Sequence, residues 1–257
     1  MSTDFLDVTE LAGDEVTAEQ VERMCHRYYW AGRHCEGKDI VEVACGTGQG
    51  LGYLAARARS LVGGDFSQAM VDRAAAHYGS RVEVRRFDAQ DMPFADASLD
   101  AVLIFEALYY LPDAERFAAE CRRVLRPGGK VLVANANKDL YDFNPSPHSH
   151  VYHGAAELAG LFAGHGFAVE TFGHLDTAAV SPRQKLLRPV KKMAGALGLI
   201  PKTMEGKKRL KRLVFGGLVT MPAEIADNMC PYVAPTPIPA DRADTRHKVI
   251  YALATLP

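Results

Sequence analysis

Val41-Glu42-Val43-Ala44-Cys45-Gly46-Thr47-Gly48 is a short β-branched run that breaks into glycine. Residues 39–44 read as a buried strand, because β-branched side chains fit a pleated, covered surface. Gly46-Thr47-Gly48-Gln49-Gly50 reads as a turn, and residues 51–59 as the helix that follows it. Outward from this point strands and helices alternate. Strands are expected at 61–65, 82–87, 99–105 and 130–134, with helices at 67–78 and 113–125. A helix at 155–165, stopped by Gly166, precedes strands at 167–172 and 247–254. Such alternation predicts an α/β fold, a parallel sheet flanked by helices on both faces. A further helix at 14–36 is expected, with Asp14 or Thr17 as its cap. Residues 231–239 hold four prolines and read as an extended surface segment.

In open α/β sheets, ligands bind beyond the carboxyl ends of the strands. Three features line up there. The glycine turn allows positive φ and close backbone approach to a ligand. Asp65, at the next strand end, can accept from both hydroxyls of a ribose, and Phe66 offers an apolar face to a purine. Asp88, at the third, can accept from an adenine amino group while the Ala89 amide donates to a ring nitrogen. The dinucleotide pattern Gly-x-Gly-x-x-Gly fails, since its sixth position is Leu51 from Gly46 and Tyr53 from Gly48. No Gly-Lys-Ser/Thr phosphate loop is present. A nucleoside site without a pyrophosphate cradle remains.

Four motifs stand in order: Glu42 to Gly48, Gly64-Asp65-Phe66-Ser67, Asp88 to Phe94, and Arg123-Val124-Leu125-Arg126-Pro127-Gly128-Gly129. In sequence and spacing they resemble the class I S-adenosylmethionine-dependent methyltransferases. The resemblance implies a Rossmann-like seven-stranded sheet with the last strand antiparallel. It implies S-adenosyl-L-methionine as cofactor and S-adenosyl-L-homocysteine as product. It places Ala44, Gly46 and Gly48 at the methionine part, Asp65 at the ribose, and Asp88 with Ala89 at the adenine. Phe105 and Glu106 would line the methionine end and the acceptor mouth. Residues 1–36 would form a helical lid carrying Tyr28, over a methyltransferase domain at 37–257. Ala44-Cys45 departs from the usual pair before the first glycine, but alanine is small enough for close approach.

Methyl transfer aligns a nucleophile with a sulfonium methyl and, for a hydroxyl, removes its proton. The segment 139–153 holds His148, His150 and His153 beside Asp139 and Asp142. Histidine titrates near neutral pH, so His150 or His148 is the expected base, with Glu106 as a further catalytic candidate. The histidine spacing admits a metal, but no carboxylate stands at ligand spacing on the same element, and none is expected.

The net charge is −1, unevenly spread. Between Pro182 and Phe215 there are 11 Lys/Arg and one acid, leaving the rest strongly acidic. This stretch lies in an insertion, about 175–245, expected to be helical and to cap the acceptor pocket. Interleaved apolar residues suit an anionic membrane surface or a phosphorylated acceptor. The expected acceptor is a small molecule or saccharide, methylated at O or N. An RNA or protein substrate docking through 183–212, or a non-catalytic binder of the cofactor, are the alternatives, and nucleic acid is the weaker because no recognised module is present. Five cysteines without a Cys-x-x-Cys pair, no membrane-length apolar run and no signal-like N-terminus lead to the expectation of a cytoplasmic protein.

Overall fold

The computed structural model describes residues 11–178 and 217–257, with Thr9 and Met193. In chain order the elements are β1 (Glu15–Val16), α1 (Ala18–Cys35), β2 (Asp39–Val43), α2 (Leu51–Ala55), β3 (Ser60–Asp65), α3 (Gln68–Tyr78) and β4 (Glu83–Arg86). Next come β5 (Leu99–Phe105), α4 (Ala114–Val124), β6 (Leu125–Ala136), α5 (Ala155–Gly164) and β7 (Ala168–Asp176). The described chain ends with β8 (Val219–Thr220), β9 (Thr236–Ile238) and β10 (His247–Thr255).

Eight strands form the main sheet in the order β4-β3-β2-β5-β6-β10-β7-β9. The β4-β3-β2-β5-β6 run is parallel, and β10 enters antiparallel between β6 and β7. Seven strands were expected; the eighth is β9, from the proline-rich segment. Thr236-Pro237-Ile238 pairs antiparallel with Gly173-Phe172-Thr171 on the sheet's edge. Proline lacks the N–H of an inner ladder, and the edge is where that omission costs least. β1 and β8 form a separate two-stranded ribbon.

Strand alternation sorts the core. Val41 and Val43 point to the face that α4 and α5 cover, with Phe117 and Phe162. Ile40 points to the opposite face, against Trp30 and Leu54 of α1 and α2. The period of two therefore sends Glu42 toward α1, where it is 2% exposed. Thr17 caps α1 in a reciprocal box with Gln20. Asp14 instead accepts from the Leu11 amide, so of the two expected caps it is Thr17 that serves. The helix expected at 51–59 ends at Ala55, because the amides of Arg59 and Ser60 turn to the Lys38 carbonyl as β3 begins.

The segment after residue 217 is tied to the N-terminal part of the chain. The Met221 amide donates to the Asp14 carbonyl, the Gly13 amide to the Met221 carbonyl, and the Ile225 amide to the Gln49 carbonyl. Glu224 pairs with His77 of α3 and with Arg81 just beyond it. The basic stretch 183–212 lies outside the described residues, Met193 excepted. No described helix is long and apolar enough to cross a membrane.

Candidate active site

The strands β2, β3 and β5 and the turn after β4 end on one cavity of about 640 Å³. At the end of β2 the chain enters the left-handed region at Ala44 (φ 52°) and Gly46 (φ 59°), which turns the backbone sharply under the cavity. An alanine carries a small strain where the common pattern has glycine. Ala44 and Gly46 line the cavity. Gly48 sits deeper: a Cβ there would stand 2.9 Å from Leu51 and 3.0 Å from Tyr78, whose hydroxyl donates to the Gly48 carbonyl. Gly48 thus serves the packing beneath the turn and does not reach the cavity wall.

Asp65 braces the turn from the next strand. Its Oδ2 accepts from the Gly46 amide and its Oδ1 from the Ser67 amide, both at 2.9 Å. A carboxylate oxygen can accept more than one donor, so these two bonds do not in themselves exclude a ribose hydroxyl. Phe66 is 48% exposed at the rim, with Arg86 over its ring. Asp88 accepts from the backbone amide and the side chain of Gln90, and Gln90 in turn accepts from the Asp113 amide. Arg123 holds this turn from α4 by donating to the carbonyls of Met92 and Phe94 while paired with Glu120 and Asp96. The last sequence motif thus braces the turn that follows Asp88 from behind.

α1 lines the same cavity as Asp65 and Asp88. Tyr28 lies against the glycine turn and donates to Glu42 Oε1, with its ring edge-on to Phe105 at 5.3 Å. A Cβ on Gly50 would come within 1.9 Å of the Tyr28 ring. Gly50→Ala is expected to cost about 1–3 kcal/mol of stability and to push Tyr28 out of the cavity wall. Thermal melting with S-adenosylhomocysteine titration checks it, and unchanged melting and binding would show that the close approach is dispensable.

Burial raises the Glu42 carboxyl to about 7, against the pull of the Tyr28 hydroxyl and Arg27. Its second oxygen, Oε2, is buried without a hydrogen-bond partner, and the residue lines the cavity. A buried carboxylate oxygen without a partner, on a residue that lines the cavity, suits a cationic donor such as the ammonium of an amino acid. The residues present therefore fit S-adenosylmethionine: Asp88 and Ala89 for the base, Asp65 for the sugar, and Glu42 for the methionine ammonium.

Glu106 follows β5 in the left-handed region, φ 53°. Its Oε1 accepts from Arg23 at 2.9 Å, and its Oε2 from the Tyr109 hydroxyl and the Ala136 amide, each at 3.2 Å. This carboxylate is an anchor between α1 and the sheet. Tyr109 stacks on Tyr152 at 4.1 Å, and Tyr110 bonds the Ser146 hydroxyl at 2.6 Å, which fastens the 139–153 segment to the turn after β5. His150 lines the cavity, its amide donating to the Tyr109 carbonyl. His148, exposed and at φ 65°, is not part of the lining. Of the two histidines expected as base, the structure brings His150 to the site. Among the described residues, no cluster of three or more His, Cys, Asp or Glu could hold a metal ion. Glu42, Arg23, Arg27, Gln20 and Met221 also line the cavity, and none was singled out from sequence.

Residues 41–133 match the family described as a methyltransferase domain. A Mycolicibacterium smegmatis protein described as a probable S-adenosylmethionine-dependent methyltransferase is 36% identical over 156 residues, 55% of this chain and 60% of that protein. The O-methyltransferase cnsE of Penicillium expansum is 32% identical over 158 residues, 59% of this chain and 53% of its own. In both cases the match spans less than two thirds of the relative. A crystal structure of a Thermotoga maritima S-adenosylmethionine-dependent methyltransferase superposes with a TM-score of 0.58 at 15% identity, covering 93% of this chain and 92% of that one. At that identity the likeness speaks for the fold.

Proposed function

We propose, starting from the class I S-adenosylmethionine-dependent methyltransferase domain that this chain carries, that the protein methylates an oxygen atom of a small-molecule acceptor. The observation that carries the proposal is the alignment of Glu42, Asp65 and Asp88 around one cavity, continuous with an acceptor half walled by Tyr109, Tyr110 and His150. S-adenosylmethionine, when bound, supplies a methyl group on a sulfonium whose departure leaves a neutral thioether.

The chain's own residues do the rest. Asp65 fixes the sugar and the glycine turn together, and Tyr28 closes the cavity from α1. Phe105 and Tyr109 exclude water by their burial, 7% and 6% exposed. A neutral hydroxyl acceptor needs its proton taken, and His150 is the proposed base because it lines the cavity. Burial keeps the Tyr109 phenol well above its ordinary range, so it serves as a protonated donor to Glu106. Oxygen is favoured over nitrogen by the similarity to an O-methyltransferase, and the expected cap is supported by Met221, which lies within its span and lines the cavity.

Calorimetric titration with S-adenosylhomocysteine, followed by transfer of labelled methyl to a panel of alcohols, phenols and acids, tests the proposal. Micromolar binding and label in an O-methyl product are expected. Absence of nucleoside binding would sink it, and binding with no transfer to any acceptor would favour the non-catalytic reading.

A further inference from the structure

We infer that Arg27 is the seat of a carboxylate carried by a ligand of this cavity. The inference rests on the methyl-transfer reading only for the identity of one of the two ligands that could bring the carboxylate.

Arg27 stands one helical turn after Arg23 on α1 and lines the cavity. Its side chain is only 20% exposed, and its Nε is buried without a hydrogen-bond partner. The carboxylate it faces is Glu106, at 3.9 Å from Nη1, beyond hydrogen-bond reach. That carboxylate is already taken by Arg23, the Tyr109 hydroxyl and the Ala136 amide. The Tyr28 ring, 5.9 Å from the guanidinium carbon, offers a π face and no acceptor for the five N–H donors.

The other groups that feel Arg27 do not neutralise it. Tyr251 is held protonated by burial. Glu42 is raised to about 7 and already accepts from Tyr28. A largely buried guanidinium with no acceptor among the described residues is unfavourable in the unliganded protein, and a planar anion bound by its fork removes the cost. The presence of Glu106 and Glu42 disfavours a phosphate dianion, whereas a carboxylate brings one charge and matching planar geometry. Two sources share that chemistry: the amino-acid end of the cofactor and an acidic acceptor. An acceptor carboxylate would also be its own ionised nucleophile. Transfer would then form the ester C–O bond, break the S–C bond and need no base.

The experiment compares wild type with Arg27→Met and Arg27→Lys by calorimetry. The probes are S-adenosylhomocysteine, 5′-methylthioadenosine, which keeps the nucleoside but lacks the amino-acid end, and octanoate added to the S-adenosylhomocysteine complex. If the cofactor supplies the carboxylate, Arg27→Met weakens S-adenosylhomocysteine at least tenfold and leaves 5′-methylthioadenosine unchanged. If the acceptor supplies it, S-adenosylhomocysteine is unchanged and octanoate binding is lost at least tenfold. Equal loss of both nucleosides, or no change in any probe, overturns the inference. Arg27→Lys keeps charge without the fork, so a partial loss is expected, and it carries the comparison should Arg27→Met fail to fold. A wild type that binds neither nucleoside defeats the methyl-transfer reading instead; octanoate, titrated alone, then still reads Arg27, and binding that does not differ between wild type and Arg27→Met overturns the inference.

Discussion

Replacing Asp65 by Ala is expected to weaken S-adenosylhomocysteine binding by roughly 100-fold, the equivalent of two hydrogen bonds to a charged acceptor at about 1.5 kcal/mol each. The carboxylate works in two directions. It accepts from the Gly46 and Ser67 amides, which fixes the turn after β2 and the cap of α3, and it faces the cavity that the turn floors. Removing it therefore strips the ribose of its acceptors and loosens the turn as well. Loss of the two internal bonds is expected to lower stability by about 1–2 kcal/mol, a drop of a few degrees in Tm. Asp65→Asn keeps one acceptor oxygen and should lie between the two. Calorimetry beside a melting curve separates the effects, and an unchanged Kd for Asp65→Ala would remove the residue from the cofactor site.

Glu42 sets a pH dependence on the same binding. With its carboxyl raised to about 7 by burial, the group is half protonated at neutral pH in the unliganded protein. A bound ammonium favours the ionised form, so binding displaces a proton below pH 7 and weakens as pH falls. Between pH 8 and pH 6 the affinity for S-adenosylhomocysteine is expected to drop about tenfold. Glu42→Gln cannot titrate and should bind weakly with a flat profile. The same slope in wild type and Glu42→Gln would place the titrating group elsewhere.

The parallel half of the sheet and three of the four carboxylates that line the cavity, Asp65, Asp88 and Glu106, were legible because they follow strict local rules. β-branched runs mark buried strands, glycine marks the turn, and Asp65 and Asp88 stand where strands run out. Glu42 was in plain view within the first-quoted stretch, but an acid in a strand reads as a solvent-facing residue until a helix is known to cover that face. α1 covers it, and only the three-dimensional docking of Tyr28 on Gly50 makes the pairing visible. Arg23 and Arg27 are ordinary helix-surface residues in a linear reading; their meaning comes from β5 delivering Glu106 opposite them. His148 and His150 were inseparable from sequence, and only the folded segment separates them, with His150 in the cavity lining and His148 outside it. β9 was hidden by its prolines, which obscure strand patterning while being compatible with an edge.

The position of β10 between β6 and β7 carries a consequence for how the protein is made. Strands β2 to β6 can assemble as residues leave the ribosome, and with them come Asp65, Asp88 and Glu106. β7 and β9, though synthesised earlier than β10, have no seat beside β6 until residues 247–255 exist to bridge them. During that interval the inner edge of β6 and one edge of β7 are open ladders, the condition under which nascent sheets mispair. The strands that lead to Asp65 and Asp88 thus precede by well over a hundred residues the strand that seals the sheet, and the nascent chain passes through that interval with its ladders open.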